Sequence, residues 1–151
     1  MPAHELPPLP TDLNAIAALA PAAWARVLQA DPATGLAWMR AAASLGHAPA
    51  QLVLGQWLLD GHGSAPDAPM ARQWFIKAAR QGDAMAMNMA GRCHENGWGG
   101  PVDLEQAVYW YRQAAEAGLD AGMYNYANQL ASGKAVAQDH ARALDWYRKA
   151  A

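Results

Sequence analysis

Four tryptophans, Trp38, Trp74, Trp110 and Trp146, return at a constant interval of 36 residues, and that interval limits the chain to a repeat architecture. Other columns keep the same step. Gly46, Gly82 and Gly118 form one, and Gly61, Gly97 and Gly133 another. Asp31, Asp67, Asp103 and Asp139 form a third, Ala71, Ala107 and Ala143 a fourth, and Ala pairs follow at 42–43, 78–79, 114–115 and 150–151. No insertion breaks the register from residue 31 to residue 151.

Each period reads as two helices. Asp103 followed by LEQAVYWYRQAAEAG supplies an N-cap, apolar residues at helical spacing and a terminal glycine. Ala107, Trp110, Tyr111, Ala114 and Ala115 fall on one stripe, as a 3.6-residue turn requires. The segment DAMAMNMAGRCHEN predicts the partner helix, closed by Gly97, and GWGGPV leads to the next aspartate. One such hairpin buries too little apolar surface to offset the entropy of ordering it, so hairpins must stack on one another. Small Ala and Gly columns allow close helix approach, and the Trp column is expected to fill the space between layers. The fold class expected is all-α, a right-handed α-solenoid of helix-turn-helix repeats.

The layout APAQLVLG, GHGSAPD, ARQWFIKAARQG, repeated as AMAMNMAG, GWGGPVD, AVYWYRQAAEAG and again as GKAVAQD, ALDWYRKAA, resembles the Sel-one-like repeat, a relative of the tetratricopeptide repeat. The resemblance covers about residues 31 to 151. It implies a scaffold or adaptor for protein–protein interaction, with no catalytic residue to transfer and no cofactor. Repeats are placed at 47–82, 83–118 and 119–151, the last incomplete, within one solenoid domain over 11–151. Residues 11–46 read as a degenerate N-terminal capping unit with the first Trp-bearing helix, its early part being two short helices broken at Pro21. Residues 1–10, with four prolines, are expected to be flexible. The third repeat departs mildly, with Gly122 and Ala127 where the pattern has Ala and Gly. RKAA stops inside a helix without its closing glycine, so either the sequence is cut there or another surface covers that end face, and a homodimer through the C-terminal face is one such cover.

Composition narrows the partner. Lys plus Arg (11) and Asp plus Glu (13) nearly cancel, giving a net charge of −2 and no footprint for nucleic acid. No basic block or spanning apolar run points to a membrane. One Cys allows no internal disulfide, and MPAHELPPLP has no cationic leader, so the cytoplasm is the expectation.

The residues that look most chemical are Cys93, His94 and Glu95, followed by glycines at 97, 99 and 100. Cys93 stands in the column of Trp57 and Gln129, and His94 in that of Leu58 and Leu130, so His94 reads as a packed histidine. Neighbours on a helix point about 100° apart, which suits neither a nucleophile–base pair nor a zinc corner, and no CxxC or HExxH spacing supports a metal. His4, His47, His62 and His140 share no face. Gly97 and Gly99 match Gly61 and Gly63, so they are expected to shape a turn at positive φ rather than cradle phosphate. Secreted relatives rich in cysteine pairs have been linked to β-lactam binding or hydrolysis. A hydrolase is therefore the alternative reading, but this chain lacks their cysteine pairs and any Ser-x-x-Lys motif.

The remaining candidates are surface positions. Ala50, Leu54, Gly55 and Leu58, with their equivalents, set the core face of the first helix in each repeat. The opposite face carries Leu52 and Gln56, then Asn88, Arg92 and Glu95, then Tyr124 and Asn128. The family resemblance implies that these helices line a concave surface, and its amide, aromatic and Arg groups suit a peptide or a partner helix. Trp98, in the column of His62 and Lys134, either packs on Pro101 or stands as an exposed anchor.

Overall fold

The 36-residue columns become helix boundaries. In the computed structural model, which describes residues 6–151, helices run as α1 (Leu13–Ala17), α2 (Pro21–Gln29), α3 (Pro32–Ser44), α4 (Ala48–Asp60), α5 (Ala68–Arg80), α6 (Ala84–Asn96), α7 (Leu104–Glu116), α8 (Asp120–Ser132) and α9 (His140–Ala150). The starts of α3, α5, α7 and α9 are each 36 residues apart, as are those of α4, α6 and α8. The aspartate column causes the first series. The carboxylates of Asp31, Asp67, Asp103 and Asp139 accept the amides of Thr34, Met70, Gln106 and Arg142 at 3.1, 3.1, 3.1 and 2.9 Å. Each thereby satisfies a donor that the first turn of a helix leaves free.

The loop between paired helices is clamped in the same way three times. The amides of Asp67, Asp103 and Asp139 donate to the carbonyls of Leu58, His94 and Leu130 at 2.7, 2.8 and 2.9 Å. This bond closes only because the preceding helix ends in a left-handed residue. Gly61, Gly97 and Gly133 have φ of 80°, 73° and 67°, a region costly for any residue with a Cβ. Gly63 and Gly99 are also at positive φ, as their spacing predicts. At Gly63 a Cβ would stand 2.4 Å from the Pro32 carbonyl oxygen, so the loop lies directly on the start of α3.

The chain divides into two compact units, residues 1–74 and 75–151, with the division inside α5. In the first unit, Ile16, Val27, Leu36, Trp38, Met39, Leu54 and Leu58 form the buried core. The Trp38 indole donates to the carbonyls of Pro7 and Pro8 at 3.3 Å each, and Trp24 meets it edge-on at 5.1 Å. Of the segment expected to be flexible, residues 1–5 lie outside the described residues, while Pro7 is buried beneath that indole. In the second unit, Ala107, Val108, Tyr111, Ala115, Tyr126, Ala127, Leu130 and Ala143 form one core, with Met123, Val136, Trp146 and Tyr147 packed against it.

The indole column is not the deepest. Trp38 and Trp110 are buried, but Trp74 and Trp146 are half-buried. The next position is deeper: Met39, Phe75 and Tyr111 are fully enclosed. A 100° turn separates the two columns, and the second points at the facing helix while the indole covers its flank.

Candidate interaction surface

In the second unit α6 and α8 lie side by side and are joined by two polar rungs. Asn125 Nδ2 donates to Asn88 Oδ1 at 2.8 Å. About one turn further along α8 and two along α6, Gln129 Nε2 donates to Glu95 Oε2 at 2.7 Å, while Tyr111 Oη from α7 donates to Glu95 Oε1, also at 2.7 Å. Burial of the Tyr111 phenol, reinforced by the hydrogen bond to Glu95 and by its negative charge, pushes the phenol pKa up. Tyr111 therefore remains a donor throughout the physiological range.

The expected surface residues divide between those that join helices and those that face outward. Asn88 is only 8 % exposed, and it and Glu95 are committed to the rungs. Asn128 is half-buried and accepts a short hydrogen bond from Tyr147 Oη of α9. Arg92 and Tyr124 lie outward: Arg92 is exposed and Tyr124 is 56 % exposed, 5.6 Å from the Tyr147 ring. The Arg92 guanidinium sits 5.0 Å over the Trp98 ring, and its Nη1 lies 3.6 Å from Met89 Sδ. Trp98 is half-buried with that cation on its face. In the first unit Leu52 and Gln56 on α4 are half-buried, and Gln56 Nε2 donates to Asp60 along the same helix at 2.9 Å.

Three residues that sequence reasoning passed over complete the surface. Asn125 and Gln129 make the rungs, and Lys134 lines a cleft of about 410 Å³ with Glu95, Val102, Leu104, Asn128, Gln129 and Ser132. Gln129 carried a legible signal, because it is a polar residue in a column otherwise held by Trp57 and Cys93.

Cys93 is fully buried, and His94 is buried as its column predicts. No cluster of three or more His, Cys, Asp or Glu suited to a metal ion occurs among the described residues. Nor, among them, is any helix long and apolar enough to cross a membrane.

The Sel1 repeat pattern matches residues 25–47, 48–83, 84–119 and 120–151, most of the sequence. The chain belongs to the Sel1 repeat family. Among solved structures, a protective antigen of uropathogenic Escherichia coli with an SLR fold is 33% identical, with a TM-score of 0.82 over 91% of this chain and 31% of its own. A Sel1 repeat protein of Oxalobacter formigenes is 30% identical, with a TM-score of 0.75 over 78% of this chain and 49% of its own. Cysteine rich protein B of Helicobacter pylori shares the fold at 23% identity, with a TM-score of 0.58, covering 62% of this chain and 71% of that protein. This chain thus spans about a third and a half of the first two. No curated protein matches it. The four helical hairpin repeats of the family are the α-solenoid class expected from the tryptophan interval, and Sel1 repeat proteins are in general scaffolds for protein–protein interaction.

Proposed function

We propose that this Sel1 repeat protein is a non-catalytic cytoplasmic scaffold or adaptor that binds a peptide or partner helix on the face of α6 and α8. The observation that carries the reading is the arrangement between the two rungs. Arg92 and Tyr124 are exposed on helices whose spacing is fixed by Asn125–Asn88 and Gln129–Glu95. A large aromatic and a guanidinium held on rigid elements lose little entropy on binding, which is what interface anchors require. Beside them, Asn125 keeps its carbonyl oxygen and Asn128 its amide group without partners among the described residues. One acceptor and one donor, one helical turn apart, suit the alternating groups of a peptide backbone. Leu52 and Gln56 hold the equivalent positions on α4 of the first unit. The only thiol being buried supports a role without covalent chemistry.

Affinity capture with the whole chain tests the placement. Proteins held by the wild type should be lost with Arg92→Glu and with Tyr124→Ala, and kept with Glu105→Lys, an exposed change on α7. Equal recovery by all four baits would remove this face as the binding site.

A further inference from the structure

The cleft at the lower rung has an electrostatic character that the partner-binding reading does not use. Its half-buried carboxylate, Glu95, accepts two hydrogen bonds but has no cation within ion-pair distance among the described residues. A carboxylate offers about four lone-pair sites, so roughly two remain open. Gln129 beside it is 5 % exposed, and its Oε1 has no donor. Its orientation is fixed, because turning the amide over would set the carbonyl oxygen against the Glu95 carboxylate. Asn128 Oδ1 and the Ser132 hydroxyl add acceptors to the same lining. The only cation there, Lys134, is exposed and has no ion-pair partner among the described residues.

We infer that this cleft receives an arginine side chain from the bound partner, its guanidinium on the open lone pairs of the two Glu95 carboxylate oxygens. The inference rests on the interaction reading above and names the chemistry of one of its contacts. Arginine fits better than lysine because its planar fork can serve two acceptors at once, whereas an ammonium is held as a point charge and keeps more of its hydration. Val102 and Leu104 line the cleft beside these polar groups and give the methylene stem apolar surface. Lys134 acts against the incoming charge and sets the selectivity of the cleft: removing it strengthens cation binding, whereas it would weaken binding of an acidic side chain.

The test is an amide-detected NMR titration of the full chain with N-acetyl-arginine methylamide. Three further probes are its neutral citrulline analogue and the corresponding lysine and glutamate compounds. Saturable shifts are expected at Gln129, Ser132 and Lys134 with the arginine compound, with weaker binding of lysine and none of citrulline or glutamate. Glu95→Gln keeps the shape, since Gln129 can then turn and accept from the new amide. It should weaken arginine binding at least about tenfold, the scale of a charge-assisted hydrogen bond. Lys134→Met should strengthen it. Equal shifts with citrulline, unchanged affinity in Glu95→Gln, or weaker arginine binding in Lys134→Met would each overturn the inference. Capture that still depends on Arg92 and Tyr124 would then leave the interaction surface standing without this contact.

Discussion

Replacing Gly122 by alanine sets two effects of opposite sign against each other. The repeat pattern favours the change, because Ala50 and Ala86 hold the same column in the preceding repeats. Helix propensity favours it too, since alanine in a helix interior is better than glycine by about 1 kcal/mol. Packing opposes it. A Cβ on Gly122 would stand 2.6 Å from Ala114 Cβ and 3.0 Å from both Ala114 C and Ala115 N. The contact optimum between carbons is about 3.5–4.0 Å, so all three pairs fall well inside it. Two of them are backbone atoms of α7, which no side-chain rotation can move. Overpacking of this kind costs about 1–3 kcal/mol, and the rigid backbone on one side places this site in the upper part of that range. The net expectation is a loss of about 1–2 kcal/mol, or a fall in melting temperature of about 2–8 °C for a chain of this length. Urea unfolding followed by far-UV circular dichroism reads it directly, and Ala114→Gly should recover only part of the loss. A Gly122→Ala protein that unfolds at higher urea than the wild type would show that α7 and α8 can separate freely, and the close-packing account would fail.

Gly91→Ala should also destabilise, because its Cβ would come within 2.6 Å of the Tyr111 ring, and shortening that ring in Tyr111→Leu should shrink the cost in a double-mutant cycle. Cys93, at 0% exposure, should resist a thiol reagent in the native protein and react at the rate of global unfolding, which a timed colorimetric assay with and without denaturant will show. His47 stacks on Trp24 at 5.5 Å and burial lowers its pKa, so the folded state favours the neutral ring. The unfolded chain takes up that proton more readily. His47 therefore contributes stability above its ordinary pKa that is lost as the pH falls through about 6.5 and below. Urea midpoints at pH 7.5 and 5.5 should differ less in His47→Asn than in the wild type.

The repeat, the aspartate caps, the glycine turns and the packed state of His94 were all legible because each is a local rule copied at a fixed interval. A capping carboxylate reaches an amide three residues away, and a left-handed glycine acts within its own turn, so one period of sequence contains both partners. Asn88 and Glu95 read as outward-facing because a helical wheel knows only its own axis. Their partners, Asn125 and Gln129, lie 37 and 34 residues ahead on a helix whose approach no wheel describes. The indoles pointed to the right layer but the wrong depth. Size made them conspicuous, whereas enclosure is set by direction, and the positions after Trp38, Trp74 and Trp110 are the ones fully enclosed.

The most informative positions are those where the repeat fails to copy itself. Tyr111 and Tyr147 share a column, and so do Glu95 and Ala131. With a carboxylate available, the Tyr111 hydroxyl takes Glu95; with alanine in its place, Tyr147 turns instead to Asn128 on the same helix. Two column changes, Glu95 to Ala131 and Arg92 to Asn128, therefore give the half-buried Tyr147 phenol a different partner about one helical turn away. The same changes leave α6 with a carboxylate facing the cleft at the position where α8 has Ala131. A perfect repeat would present the same chemistry in every unit and could not favour one side chain of a partner over another. Departures of this kind give a scaffold made of equal parts a site that is unequal, and in this chain they converge on Glu95, Asn128 and Gln129.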